Sequence, residues 1–283
     1  MKVLFIAVFS DTSTNNAQSR GLQKAGCSVI EYNYRNRASH IGAVARDQEI
    51  IDTCKLERPD FVLFSKCNGV NARVIQECNK FSKTVMWYMD PLANFDNELT
   101  EKIKHCTYTF CALSLPYYEA QKYSKKVYFL QEGFDSTVNY PVDVPYKHDV
   151  SFIGNLRGER GHYQRKYGFH NYTNVYGKEH SVAVAETKIN LNFTEGGTSD
   201  RTYKVLASRG FLLTQSWERM EKDFMDGRDL VTFSNEEEFE YKIKYYLNNE
   251  LERKSIAENG YKTVQNFSRD NWAVRLIEGI NEK

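Results

Sequence analysis

The densest chemistry in the chain lies at residues 190–210, Asn-Leu-Asn-Phe-Thr-Glu-Gly-Gly-Thr-Ser-Asp-Arg-Thr-Tyr-Lys-Val-Leu-Ala-Ser-Arg-Gly. An apolar strand ends in Thr194-Glu195-Gly196-Gly197, and Ser199 or Asp200 is placed to cap the helix that follows. Arg201 and Lys204 are three residues apart, so they share the first face of that helix. Unpaired amides, the positive end of the helix dipole and two cations converge there, which suits a diphosphate. Glu195 adds a carboxylate for sugar hydroxyls. A second stretch, Ser-Phe-Ile-Gly-Asn-Leu-Arg-Gly at 151–158, ends a strand at Gly154 and Asn155, where backbone can approach a ligand closely. Arg157 presents a planar donor fork to phosphate. Tyr176, Gly177 and Lys178 end the next expected strand and offer a place for a nucleoside.

The first half carries weaker signals. Its first strand runs into Phe9-Ser10-Asp11-Thr12-Ser13-Thr14, polar and free of glycine. That argues against a dinucleotide fingerprint and leaves Ser10 and Asp11 as hydroxyl-binding candidates. Asp90 ends another strand as a base or a hydroxyl-binding group. Tyr34, Arg35 and Arg37, followed by His40 and Arg46, form a basic-aromatic stretch of the kind that serves phosphates and unstacked bases. The six histidines and six cysteines show no metal-ligand spacing, and there is no Asp-x-Asp. We therefore expect no metal, and reduced, buried thiols. A Walker loop and a nucleophile elbow are also missing from the sequence.

Positioning these residues requires a regular scaffold. Strand-like runs alternate with helical stretches along all 283 residues, which implies parallel sheets with right-handed crossovers. The rhythm breaks at Pro141 and Pro145 and then restarts, so the α/β reading is two Rossmann-like domains with a ligand cleft between them. The expected boundaries are 1–145 for an acceptor-side domain, 146–267 for a donor-side domain, and 268–283 for a terminal helix packing back on the first. Hydrophobic residues at 41% and charged residues at 27% exclude a disordered chain. A net charge of +1 excludes a uniformly basic nucleic-acid module. The apolar run Val3–Phe9 is too short to span a bilayer, and a cytoplasmic protein is expected.

From residue 150 onward the sequence resembles the CgeB-like glycosyltransferases, group-1 enzymes with the GT-B fold. The resemblance rests on Phe152–Gly154, Lys188–Asn192, Arg201–Gly210, Phe211–Thr214, Gly227–Val231, Tyr245–Leu247 and Ile256–Gly260. It departs at two positions: Lys204 stands where this superfamily typically has a ribose-binding Glu, and Arg209 stands where a Gly is expected. The resemblance implies transfer of a sugar from a nucleotide donor, such as a UDP-sugar, to a hydroxyl acceptor, mostly with retention. No cofactor or metal is expected beyond that co-substrate. Donor contacts then fall to Gly154, Asn155, Arg157, Tyr176, Gly177, Lys178, Gly196, Gly197, Ser199, Arg201 and Lys204. Glu195 and Asp90 are the catalytic candidates. Ser10, Asp11, Tyr34, Arg35 and Arg37 are assigned to the acceptor, which is a glycan, a protein, or a hydroxymethylated pyrimidine in DNA. The alternative function is a non-catalytic module that binds sugar nucleotides.

Overall fold

The computed structural model describes residues 1–194 and 197–282. The chain divides into two compact units, Met1–Glu132 with Arg269–Lys283, and Gly133–Ser268.

The first unit contains β1 (Lys2–Ala7), α1 (Thr14–Lys24), β2 (Ser28–Asn33), α2 (Tyr34–Ile41), α3 (Ala43–Glu57), β3 (Phe61–Ser65), α4 (Ala72–Cys78) and β4 (Lys83–Tyr88). It continues with α5 (Asn97–His105), β5 (Tyr108–Cys111), α6 (Ser114–Ala120) and β6 (Val127–Phe129). The strands are parallel, in the order β2-β1-β3-β4-β5-β6. Strand alternation divides the core between the two faces of the sheet. Leu4 and Ile6 pack with Ile50, Cys54, Val74 and Ile103. Val3, Phe5 and Ala7 pack with Leu22 and with Trp272, Ala273 and Leu276.

The second unit contains β7 (His148–Ile153), α7 (Gly158–Tyr167), β8 (His170–Tyr172), α8 (Gly177–Ala185), β9 (Thr187–Asn192) and α9 (Asp200–Ala207). β10 (Leu212–Gln215), β11 (Val231–Phe233), α10 (Glu236–Asn248) and α11 (Glu250–Val264) complete it. Its parallel sheet has the order β11-β10-β9-β7-β8. Counted from the first strand of each unit, the first sheet runs 2-1-3-4-5-6 and the second 2-1-3-4-5. The direction of winding therefore reverses between β1 and β3, and again between β7 and β9. Such switch points open a crevice beyond the strand carboxyl ends.

The last helix, α12 (Arg269–Asn281), belongs to the first unit. A glycine in α1 makes the close approach possible: a Cβ at Gly21 would stand 2.5 Å from the Arg269 carbonyl oxygen. Trp272 meets Trp87 edge-on at 5.4 Å.

Three local expectations change. The strand expected at 174–176 lies instead at His170–Tyr172, because Gly168 closes α7 in the left-handed region and Asn174, at φ +56°, turns the chain. Residues 219–225, whose sequence predicts a helix, form only a 3-10 turn at Met220–Lys222. α2 was not anticipated, although Asn33 caps it by accepting from the Asn36 amide at 3.2 Å. The structural division falls at Glu132/Gly133, ahead of the prolines. The intervening segment is fastened to the second unit: Phe134 packs with Tyr203 and Phe267, and the Val138 carbonyl accepts from Ser181 at 2.9 Å.

Candidate functional site

Arg201 ties the β7/β9 switch point together. Its Nε donates to the Ile153 carbonyl at 2.6 Å, at the end of β7. Its Nη1 donates to Asn192 Oδ1 at 2.9 Å, at the end of β9. Its guanidinium also covers the Phe152 ring at 4.5 Å, a cation–π contact worth about 0.5–2 kcal/mol. Asn192 is fully buried and is itself held by Thr202 and Thr214, to which it donates at 3.3 and 3.1 Å. The alternating Asn-Leu-Asn of β9 thus sends Leu191 to the core and Asn192 to the arginine. Gly154 sits at φ +144°, and a Cβ there would lie 2.7 Å from Arg201 Nη2. Glycine is required here both by the backbone conformation and by the arginine.

Around this tie lies a cavity of about 200 Å³ lined by Ile153, Gly154, Asn155, Asn174, Val175, Tyr176, His180, Asp200, Arg201 and Lys204. That is smaller than the roughly 300–1,000 Å³ of sites that take a whole drug-sized ligand, and is room for only a portion of one. Two larger hollows of the same unit, about 800 and 680 Å³, border the amino ends of β7 and β8 and of β9. The small cavity is the one at the strand carboxyl ends, where folds of this class bind ligands.

Gly154, Asn155, Tyr176, Arg201 and Lys204 are thus brought together as expected residues of one cavity. Lys204 forms a 2.5 Å ion pair with Asp200, one helical turn earlier. Ser199 occupies the N-cap position of α9 with extended backbone, but its hydroxyl makes no capping hydrogen bond. The Gly197 amide donates to the Thr194 carbonyl at 2.8 Å, so it is already engaged within the loop. Arg157 and Lys178 are exposed, Gly177 opens α8 at φ +53°, and none of the three lines the cavity. Glu195 and Gly196 lie outside the described residues.

His180 is a cavity residue that motif spacing did not single out. It is 6% exposed. Burial, then Lys204 and Arg201, push its imidazole down to about 3, against the opposing pull of Asp200. It is therefore neutral at physiological pH. Its signal in the sequence was only its place one turn after Tyr176.

In the first unit, Ser10 and Asp11 are exposed just beyond β1. Asp90 is paired with Lys66 at the carboxyl ends of β3 and β4. Lys66 and Cys67 adopt φ +58° and +57°, consecutive left-handed conformations that side chains rarely take. The buried Lys102 ammonium donates to the Cys67 carbonyl at 2.6 Å and holds that turn. The basic-aromatic stretch divides between core and surface. Tyr34 is 1% exposed and part of the core. Arg35 donates to the Tyr34 hydroxyl at 3.1 Å. Arg37 makes a two-bond pair with Glu49 at 2.6 and 2.8 Å. Arg46 is buried between Asp47 and the Gly69 carbonyl. Tyr34 alone of α2 is buried, Glu49 and Asp47 pair with Arg37 and Arg46, and Arg35 and Arg37 stay exposed.

All six cysteines are buried and reduced. Among the described residues no cluster of three or more His, Cys, Asp or Glu is arranged to hold a metal ion. No helix among them is long and apolar enough to cross a membrane.

Residues 142–278 match the family described as glycosyl transferase-like. No curated protein sequence matches the chain. Among solved structures, HepE of Anabaena in complex with UDP and glucose is similar over 99% of each chain, with 8% identity and a TM-score of 0.72. The sucrose-phosphate synthase of Thermosynechococcus elongatus is similar over 98% of this chain and 97% of its own, with 10% identity and a TM-score of 0.70. A glycosyltransferase of Rickettsia africae is similar over 100% and 99%, with 11% identity and a TM-score of 0.64. Two parallel α/β sheets and this likeness over whole chains lead to one conclusion: the chain has the GT-B fold, and its residues 142–278 match the family described as glycosyl transferase-like.

Proposed function

We propose that the protein transfers a sugar from a nucleotide-sugar donor to a hydroxyl acceptor, and that residues around the small cavity of the second unit hold the donor. The observation that carries this reading is Arg201, fastened across the β7/β9 switch point beside Lys204 and Gly154. A leaving diphosphate needs its charge balanced by preorganised donors. Arg201 and Lys204 supply cations, with Arg157 at the adjacent loop, so the chemistry needs no metal. Lys204, standing where this superfamily typically has an acid, turns Asp200 toward itself rather than binding ribose. Tyr176 and Asn155 line the nucleoside side of the cavity. The complexes of Anabaena HepE with UDP and with UDP-glucose favour a UDP-sugar, and so a hexosyl donor, as the first to test.

The further reading is a retaining, CgeB-like enzyme with Asp90, held by Lys66, at the acceptor hydroxyl. A glycan or protein acceptor is preferred over DNA, because in the stretch that suggested nucleic acid Tyr34 belongs to the core and Arg37 and Arg46 are ion-paired. The test is incubation with a panel of nucleotide sugars, following release of nucleoside diphosphate. Slow hydrolysis of one donor, lost in Arg201→Ala, supports a transferase. Donor binding without turnover on any acceptor favours a non-catalytic sugar-nucleotide module.

A further inference from the structure

His180 is a buried histidine with no protein partner, and it borders a ligand cavity. No described residue hydrogen-bonds its ring, and Nδ1 is sealed from solvent. His180 lines the cavity, and with Nδ1 enclosed its other ring nitrogen, Nε2, is the one a ligand can reach and pair. The charged groups facing it are Lys204, Asp200 and Arg201, all on α9. Lys204 and Asp200 largely neutralise each other as an ion pair. At the ring the two cations Lys204 and Arg201 stand against the single acid Asp200, a setting that suits an anionic ligand. The first turns of α8 and α9 add amide dipoles of the same sign.

A neutral imidazole has one N–H. With Nδ1 enclosed and unpaired, the proton serves best on Nε2, the nitrogen left to meet a ligand. We propose that His180 is a donor-binding residue whose neutral Nε2–H gives a hydrogen bond to a phosphate oxygen of the nucleoside diphosphate. This rests on the reading that the cavity holds the donor. An uncharged donor suits the place, because a further cation there would add to the repulsion from Arg201 and Lys204, only the second of which is paired with Asp200 on this helix. The contact also explains why a histidine, rather than a lysine, ends the first turn of α8.

The probe is UDP, with affinity measured by calorimetry at pH 7. His180→Phe keeps the ring volume and removes the donor; a loss of tenfold or more in affinity is expected. His180→Gln restores an uncharged N–H and should bind within about threefold of the parent. Equal UDP affinity in the parent and His180→Phe, with binding lost in Arg201→Ala, would overturn the His180 role alone. A parent that binds no nucleoside diphosphate overturns the donor reading as well. If His180→Phe does not fold, nitrogen NMR of the parent decides. UDP should shift the Nε2 resonance of a ring that stays neutral, and an unmoved resonance under saturating UDP sinks the proposal.

Discussion

Replacing Gly154 by Ala tests whether the glycine exists to seat Arg201. The added methyl would lie 2.7 Å from Arg201 Nη2 and 3.2–3.3 Å from the Phe152 ring. Phe152 is fully buried and cannot yield, so the guanidinium must move. Movement sacrifices the cation–π contact and lengthens the bonds to Ile153 and Asn192. A charged hydrogen bond to the ligand is worth about 1.5–3 kcal/mol, so UDP affinity should fall roughly 10- to 100-fold. Backbone strain at φ +144° adds about 1–3 kcal/mol of destabilisation by itself. Gly168→Ala separates the two effects. That glycine also has positive φ, at +67°, but a Cβ there meets nothing within 4 Å. Its variant should lose thermal stability yet bind UDP as the parent does. Calorimetry and thermal unfolding on the three proteins give the answer. Unchanged UDP affinity in Gly154→Ala, at any stability, would refute the link between this glycine and the arginine.

Other consequences are as direct. Arg209 closes α9 at φ +58°, where the family resemblance expects Gly; Arg209→Gly should stabilise by about 0.5–1 kcal/mol, less the Glu258 pair and Tyr261 stacking it gives up, read as a higher urea midpoint. His180 titrates at about 3 when folded against about 6.5 when unfolded, so the unfolded chain binds the extra proton between those values and stability falls as pH drops below 6.5. Between pH 7 and pH 4.5 this site should cost about 2–3 kcal/mol, a loss that His180→Gln removes from the urea-measured pH profile. Gly21→Val drives a side chain into the Arg269 carbonyl and should destabilise the first unit by about 1–3 kcal/mol, lowering the melting temperature. If the melting temperature holds, α12 does not depend on that close approach.

Much of this molecule was legible before its structure. Continuous apolar runs alternating with helical stretches determined two parallel α/β sheets, since a chain with that alternation can bury both sheet faces in few other ways. Glycines after β7 and cations at the start of α9 marked one neighbourhood, because backbone approach and helix-end amides are local properties. What the sequence could not decide was which side chains would be spent on the fold. Tyr34, Arg37 and Arg46 read as a ligand surface, but Tyr34 packs into the core and the two arginines pair with Glu49 and Asp47, because folding α3 against α2 decides which side chains are buried or paired. Lys204 found its counter-ion on its own helix. The Lys66–Asp90 pair and the lone His180 had no motif at all. Only tertiary packing joins the ends of β3 and β4, or sets α8 against α9, and only burial beside two cations holds that histidine neutral.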